Sequence, residues 1–229
     1  MKNPTPDQQK IWNESSKTIP LDKDPSAYAI EKEKLFPKSS VVCDLGGGTG
    51  VDSIYFLQKG HSVILMDISD YGLEVARNNA ERLGFINKLT LIQTDLSKGE
   101  LPIGSNSCDV VYSRLSLHYF YPEELTNIFR EINRILKVDG VAYITIKSPK
   151  DEREMSFLRK TAKELEPDVF DNNGQVKARY SAPKLKEMMG AAGIEKFEIR
   201  DYMESFLGRT DRVKSGSDKL ILLEIIVTK

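Results

Sequence analysis

Long apolar runs are absent from this sequence of 229 residues. No run approaches the roughly 20 apolar residues that cross a bilayer, and the opening MKNPTPDQQKIWNESSK lacks the apolar centre of a signal peptide. These absences predict a soluble, cytoplasmic protein with no membrane partner. Cysteine is also scarce, and two cysteines form neither a zinc cluster nor a disulfide framework. We therefore expect Cys43 and Cys108 to be buried free thiols and expect no metal site.

An excess of charge of either sign is also missing. Lys and Arg total 33 and Asp and Glu total 34, which leaves a net charge of -1. Such a balance gives no basic field to gather phosphate backbones, and no basic-aromatic patch stands out, so we predict no nucleic-acid partner. The length and the 40% hydrophobic content fit a single domain with one core, spanning residues 1–229.

The sequence does contain a regular alternation of strand and helix patterns. Helical stripes such as Leu73, Ala76 and Ala80 separate the early strands, and a later helix starts near Ser181. This order predicts an α/β doubly wound, mostly parallel sheet. A polar stretch without a helical stripe precedes the last strand, so we expect that strand to return antiparallel. The seven candidate strands are SVVCDL, SVILMD, KLTLIQTD, DVVYS, VAYITIK, KFEIRDYM and KLILLEIIVT.

Two segments fall outside this sheet plan. Residues 1–40 carry Trp12 and Tyr28 in polar surroundings, and we predict an N-terminal helical cap there. Residues 150–182 are highly charged, and we predict a helical insertion. Each segment fits either a lid over a site or a solvated surface helix, and the charge of the second favours the surface.

A glycine-rich loop, DLGGGTG at residues 44–50, follows the first predicted strand. Parallel sheets bind ligands beyond the carboxyl ends of their strands, where this loop lies. One glycine would suffice for a turn, so four glycines within five positions favour a ligand held against the backbone. The dinucleotide pattern G-x-G-x-x-G fails at Val51, and the phosphate-loop pattern lacks its lysine. A nucleoside cofactor without a pyrophosphate is therefore favoured.

Carboxylates end three successive predicted strands, at Asp44, Asp67 and Asp95. Asp67 is placed to accept hydrogen bonds from both ribose hydroxyls, although NAD enzymes also use an acid here and a helix cap is the alternative. Asp95 suits an exocyclic amine such as that of adenine, with the Leu96 amide at a ring nitrogen. A turn aspartate fits Asp95 equally well.

The ordered set of motifs resembles the class I S-adenosylmethionine-dependent methyltransferases. The resemblance covers residues 41–147 through DLGGGTG, LMDIS, QTDL, DVVYSRLSLHYF and REINRILKVDG, together with the final hairpin-like strand pair. The sequence VDG stands where the family often has proline followed by two glycines. Outside residues 41–149 the likeness is weak, and those parts would select the methyl acceptor.

The resemblance implies S-adenosylmethionine as the cofactor. The first acid and the glycine loop would hold its amino-acid part, the second acid its ribose and the third acid its adenine, while the fourth strand would line the methionine side. The implied cofactor-binding residues are Asp44, Gly46, Gly47, Gly48, Gly50, Asp67, Ile68, Asp95, Leu96, Ser113 and Arg114.

The predicted reaction is an in-line methyl transfer, in which the protein mainly aligns the acceptor and excludes water. His118 is the best general-base candidate because imidazole titrates near neutral pH, but a histidine packed at a helix start is equally consistent. The strand DVVYS lacks the Asn-Pro-Pro-Tyr type sequence that resembles amino-group methylation of adenine or glutamine, so we predict a small-molecule acceptor. Arg209, Arg212 and Lys214 fit a solvated turn better than an anion site.

Two other functions stay open on the residues alone. A nucleotide-dependent oxidoreductase is opposed by Val51 and by the antiparallel last strand. A non-catalytic S-adenosylmethionine-binding module is opposed only by the suitable residues at every cofactor position, and a fold alone cannot decide between them.

Overall fold

The computed structural model describes residues 7–20, 24–205 and 219–229, so Arg209, Arg212 and Lys214 lie outside the described residues. The described strands are β1 (Val41–Leu45), β2 (Ser62–Asp67), β3 (Leu89–Gln93), β4 (Cys108–Arg114), β5 (Leu136–Lys147), β6 (Lys163–Glu166), β7 (Val169–Asn172), β8 (Gln175–Ala178), β9 (Phe197–Ser205) and β10 (Lys219–Thr228). The described α-helices are α1 (Gln8–Ser16), α2 (Ala27–Glu33), α3 (Val51–Gln58), α4 (Asp70–Arg82), α5 (Pro122–Ile135), α6 (Glu152–Thr161) and α7 (Ala182–Ala191).

Seven of these strands form one sheet in the order β3-β2-β1-β4-β5-β10-β9. Strands β1 to β5 pair in parallel, and β10 runs antiparallel to both β5 and β9. This confirms the predicted doubly wound sheet with an antiparallel C-terminal strand. The chain moves outward from β1 to β3 and then resumes at β4 on the other side of β1. The carboxyl ends of β1 and β4 therefore form the point where strand order reverses, the usual ligand position in such sheets.

Helices cover both faces of this sheet. On one face, Leu73 and Ala76 of α4 lie in a buried cluster with Phe56 of α3. On the other face, Ile132 of α5 and Met189 of α7 lie in a second buried cluster. Burying a Leu, Ile, Met or Phe side chain stabilises the fold by about 1.5–3 kcal/mol relative to leaving it exposed. The helical stripes found in the sequence thus cover the sheet, and the two cysteines are buried free thiols as predicted.

The segment of residues 150–182 is only partly helical, which corrects the predicted helical insertion. The helix α6 ends at Thr161, and β6, β7 and β8 then form a separate three-stranded antiparallel sheet. Asn173 and Gly174 join β7 to β8 with φ of 55° and 83°. A two-residue hairpin turn with both φ values positive favours Asn-Gly. The Asn-Gly pair in the sequence is typical of a hairpin turn. The high charge of the segment had instead favoured a surface helix.

The N-terminal segment is helical where it is described. Ser69 and Asp70 at the start of α4 bond Asn13 of α1, with Ser69 Oγ to Asn13 Oδ1 at 2.7 Å and Asn13 Nδ2 to Asp70 Oδ1 at 2.6 Å. Helix α2 rests on the sheet, where Lys32 Nζ lies 2.7 Å from Glu224 of β10. Among the described helices, none has the length and apolar character needed to cross a membrane.

Candidate functional site

The glycine loop connects β1 to α3 at the switch point of the sheet, and its glycines are needed for different reasons. Gly46 has φ of 69°, and a Cβ there would lie 1.9 Å from Ser116 Oγ. A Cβ on Gly47 would lie 2.5 Å from Asp44 Oδ2, and one on Gly50 would lie 2.7 Å from Ala76 Cβ. Three glycines are thus fixed by close approach inside the protein.

Gly48 differs from its neighbours because a Cβ there would meet no atom within 4 Å. Its φ of 58° is left-handed, and its amide donates to Asp67 Oδ2 at 2.8 Å. The bare face of Gly48 therefore borders open space, where a ligand can approach the backbone.

The Asp67 carboxylate links the end of β2 to the loop. Besides the Gly48 amide, it accepts a hydrogen bond from the Ser69 amide at 2.8 Å through Oδ1. Burial raises the pKa of Asp67, while these amides act in the opposite direction. The carboxylate is thereby held in one orientation on the wall of the site, as a group that contacts a ligand must be.

Asp44 at the end of β1 is 1% exposed and accepts a hydrogen bond from Ser53 Oγ at 2.6 Å. Burial, and secondarily the charges of Asp52 and Asp67, raise the pKa of Asp44 to about 7. A carboxyl that titrates near neutral pH prefers a cationic partner when it ionises.

Two cavities meet at the loop. The larger has a volume of about 1370 Å³ and the smaller about 180 Å³, and Trp12, Gly46 and Asp67 line both. Asp44 and Arg114 line the smaller cavity. The larger cavity is lined by Ile68, Asp95 and Leu96 and also by Tyr119, Phe120, Tyr121, Glu124, Glu166 and Asp171. A single ligand can therefore extend from the loop into either cavity.

The structure brings most of the predicted cofactor residues to these cavities, and the two exceptions are Gly50 and Ser113. Ser113 is fully buried, and its Oγ donates to the Leu45 carbonyl at 2.9 Å beneath the loop, so its side chain lines neither cavity and its contact with a cofactor stays a prediction. Arg114 lines the smaller cavity, where it is paired with Glu204 of β9 at 2.7 Å. Asp95 accepts from the Ser97 amide at 3.0 Å, a turn role that leaves it on the cavity wall.

His118 does not line either cavity. Its side chain is fully buried, its ring contacts that of Tyr119 with centroids 4.3 Å apart and planes tilted by 37°, and neither ring nitrogen has a hydrogen-bond partner among the described residues. Burial, and secondarily the charge of Arg179, lowers the pKa of His118. The imidazole is neutral but is not presented to an acceptor in this arrangement. Its role as a general base stays a prediction.

The sequence left open a lid over a site for both segments outside the sheet, and the structure adds two contacts that no sequence pattern specified. Trp12 of α1 packs against Tyr119 with centroids 4.6 Å apart, and Gln8 Nε2 donates to the Gly174 carbonyl of the β7–β8 turn at 2.9 Å. Helix α1 and the small sheet thus meet over the larger cavity. Trp12 stood out as an aromatic residue in a polar stretch, but no local pattern indicated this contact or the role of Glu204.

Comparisons with known proteins agree with this arrangement. Residues 43–144 match the methyltransferase domain family. Phosphoethanolamine N-methyltransferase 1 of Triticum aestivum is 30% identical over 149 residues, which are 60% of this chain and 29% of that protein. An uncharacterized methyltransferase of Synechocystis is 28% identical over 112 residues, 49% of each chain. This chain thus spans about half or less of the length of these two relatives.

The fold has solved counterparts as well. A Burkholderia thailandensis 1,6-didemethyltoxoflavin-N1-methyltransferase, solved with 1,6-didemethyltoxoflavin and S-adenosylhomocysteine, superposes with a TM-score of 0.67 at 18% identity. The match covers 96% of this chain and 84% of that one. At this identity the likeness concerns the fold alone. Residues 43–144 of this chain are thus similar to the methyltransferase domain family, and its sheet has the strand order of the Rossmann-like methyltransferase fold.

Proposed function

We propose that this protein transfers a methyl group from S-adenosylmethionine to a small-molecule acceptor. The observation that carries the proposal is a continuous lined surface from Asp44 through Gly46 and Asp67 to Asp95, beside a larger cavity roofed by Trp12. The residue types along this surface suit the successive parts of the cofactor, which supports the proposal.

The residues present fit the cofactor. In the smaller cavity, Asp44 suits an ammonium group and Arg114 suits a carboxylate, the two ends of an amino acid. The fixed carboxylate of Asp67 suits a pair of ribose hydroxyls. In the larger cavity, Ile68 and Leu96 offer apolar contact to a base. When bound, the cofactor supplies an electrophilic methyl group on a sulfonium, and the protein supplies alignment and a dry site.

The lining of the larger cavity beyond Ile68, Asp95 and Leu96 supports a neutral or cationic acceptor. Its aromatic residues are Trp12, Tyr119, Phe120 and Tyr121, and its charged residues are Asp7, Lys98, Glu123, Glu124, Glu166 and Asp171. Aromatic faces and carboxylates together favour cationic groups. The acceptors named for two relatives, phosphoethanolamine and 1,6-didemethyltoxoflavin, are small molecules, which supports a small acceptor here. Mass spectrometry of products from a panel of amines, phenols and carboxylic acids tests this choice.

Asp67→Ala should weaken binding of S-adenosylmethionine at least about tenfold, because charge-assisted hydrogen bonds to the ribose are lost. Calorimetric titration with S-adenosylmethionine and S-adenosylhomocysteine measures the effect. The matched control is Asp201→Ala on β9, where the carboxylate is largely exposed and pairs with the surface residue Lys150 at 2.6 Å. The control should bind like the wild type.

The same titrations also distinguish the rival functions. If wild-type protein bound NADH and neither adenosyl ligand, the oxidoreductase would replace the methyltransferase. If the adenosyl ligands bound but no acceptor in the panel were methylated, a binding module without catalysis would be favoured. Equal affinities of Asp67→Ala and wild type would remove the ribose role of Asp67.

Affinity for S-adenosylhomocysteine should rise with pH across neutrality. The pKa of Asp44 is about 7, so the carboxylate that attracts the ligand ammonium forms as the pH increases through that value. Below it, affinity should fall by up to about tenfold per pH unit. Titration between about pH 6 and about pH 8 tests this, since the pKa lies at the centre of that window. Asp44→Asn should bind weakly at every pH, and a flat wild-type profile would contradict the prediction.

The same raised pKa affects the stability of the unliganded protein in the opposite direction. Because the folded pKa of Asp44 exceeds its ordinary value of 3.8, protonation favours the folded state. This contribution is complete below pH 3.8 and is lost as the pH rises through about 7.

A further inference from the structure

A buried carboxylate on β9 has one oxygen that no described residue uses. Glu204 is 2% exposed and lines the smaller cavity. Its Oε2 accepts hydrogen bonds from Arg114 Nε at 3.0 Å and Arg114 Nη2 at 2.7 Å. Its Oε1 has no hydrogen-bond partner among the described residues. A buried charged oxygen without a donor is costly, so this atom calls for a donor from a ligand.

Two neighbouring acids of the smaller cavity, Asp52 and Asp67, are already engaged by several donors. Asp52 accepts hydrogen bonds from the Ser26 amide at 2.7 Å, from Ser26 Oγ at 2.8 Å and from Tyr112 Oη at 2.8 Å. Asp67 binds two backbone amides. Glu204 therefore stands apart from these acids, because half of its carboxylate is unused while the other half holds the Arg114 guanidinium.

The charges of this cavity suit a zwitterion. Burial alone would lower the pKa of Arg114, but the carboxylates of Glu204 and Asp52 outweigh it and raise the pKa, so the guanidinium is charged. A guanidinium can bind the carboxylate of an amino acid while adjacent carboxylates bind its ammonium. Asp44 reaches this cavity from β1 and Glu204 from β9, at different positions along the sheet.

We propose that Glu204 is a cofactor-binding residue, whose Oε1 accepts a hydrogen bond from the α-ammonium group of the amino-acid end while its Oε2 holds Arg114. This inference rests on the proposed function, because it requires an adenosyl amino acid in the smaller cavity. It assigns to β9, a strand outside the matched methyltransferase domain, a direct contact with the cofactor.

Three ligands separate this role from that of a residue that only positions Arg114. S-adenosylhomocysteine has both the ammonium and the carboxylate, decarboxylated S-adenosylmethionine keeps only the amine, and 5′-methylthioadenosine has neither. Glu204→Gln should weaken binding of S-adenosylhomocysteine and of decarboxylated S-adenosylmethionine about tenfold or more, because one charged hydrogen bond is lost. It should leave the affinity for 5′-methylthioadenosine unchanged. Calorimetric titration gives the three affinities. Glu198→Gln, on the same strand with its side chain 60% exposed, is the matched control and should bind all three ligands like the wild type.

Each other outcome overturns the inference in a distinct way. An effect of Glu204→Gln on S-adenosylhomocysteine but not on the decarboxylated ligand would mean that Glu204 acts only through Arg114. Unchanged affinity for S-adenosylhomocysteine would exclude both roles. If wild type bound none of the three ligands, the proposed cofactor itself would be wrong, and this inference would be wrong with it.

A second variant covers the case in which Glu204→Gln does not fold. Removing both charges together, as Glu204→Leu with Arg114→Met, avoids an unpaired buried charge. This double variant should still lose about tenfold or more in affinity for the decarboxylated ligand, because the ammonium acceptor is gone. It should keep wild-type affinity for 5′-methylthioadenosine. Wild-type affinity for the decarboxylated ligand would overturn the inference.

Discussion

Gly46→Ala should abolish measurable binding of S-adenosylhomocysteine and lower the free energy of unfolding by about 2–5 kcal/mol. The new methyl group would lie 1.9 Å from Ser116 Oγ and 2.6 Å from Ser116 Cβ, at a residue with φ of 69°. The Gly46 amide also donates to the Met66 carbonyl at 2.8 Å. A loop displaced by the methyl group would break this bond and carry the Gly48 amide away from Asp67. Urea denaturation and calorimetric titration measure the two effects.

Gly60→Ala is the matched control for backbone strain. Gly60 has φ of 96° in the turn between α3 and β2, and a Cβ there would meet no atom within 4 Å. Gly60→Ala should lower the free energy of unfolding by about 1–2 kcal/mol and leave ligand affinity unchanged. Adding Ser116→Gly to Gly46→Ala removes the clash and should restore part of the stability. Equal behaviour of Gly46→Ala and Gly60→Ala would mean that Ser116 moves aside freely and that close packing does not fix the loop.

Much of the sheet was predictable from the sequence because its signals are local. Apolar runs bounded by turn residues predicted all seven strands of the main sheet, and the glycine loop with Asp44 and Asp67, singled out in the sequence, borders the smaller cavity of the candidate site. In a parallel sheet the carboxyl ends of successive strands share one edge, so a sequence position at a strand end already implies a place in the molecule. The antiparallel direction of β10 followed from the lack of a crossover helix before it.

The remaining parts of the site depend on contacts between distant residues. Glu204 meets Arg114 across 90 positions, and Gln8 meets Gly174 across 166 positions. No periodicity or spacing encodes such pairs. Ser113 is a further example, since a residue at the end of β4 can turn its side chain either to the cavity or beneath the loop. In the structure the side chain lies beneath the loop, where it donates to the Leu45 carbonyl. The small sheet was different, because its Asn-Gly turn was a local signal that was outweighed by charge.

Lys32→Met should lower the free energy of unfolding by about 3 kcal/mol, because it breaks a buried ion pair from one side. Lys32 is 1% exposed, and its Nζ lies 2.7 Å from Glu224 of β10, which is fully buried. The ammonium also lies 5.3 Å from the ring centre of Tyr28 and 5.9 Å from that of Tyr143. Burial acts to lower the pKa of Lys32, but the bonds to Glu224 and Glu31 prevail and raise it. The stabilisation is therefore complete below the ordinary lysine pKa of 10.5 and is lost only as the pH rises through the higher folded value.

The control for Lys32→Met is a surface ion pair with a similar distance between nitrogen and oxygen. Lys150 Nζ lies 2.6 Å from Asp201 with both side chains largely exposed, so Lys150→Met should cost less than about 1 kcal/mol. Combining Lys32→Met with Glu224→Gln should cost about 0.5–3 kcal/mol less than the sum of the single changes, since the charge left behind is removed. Urea denaturation of the four proteins completes the cycle. A cost of Lys32→Met as small as that of Lys150→Met would show that Arg200, whose Nε lies 2.5 Å from Glu224 Oε2, is a sufficient partner for that carboxylate.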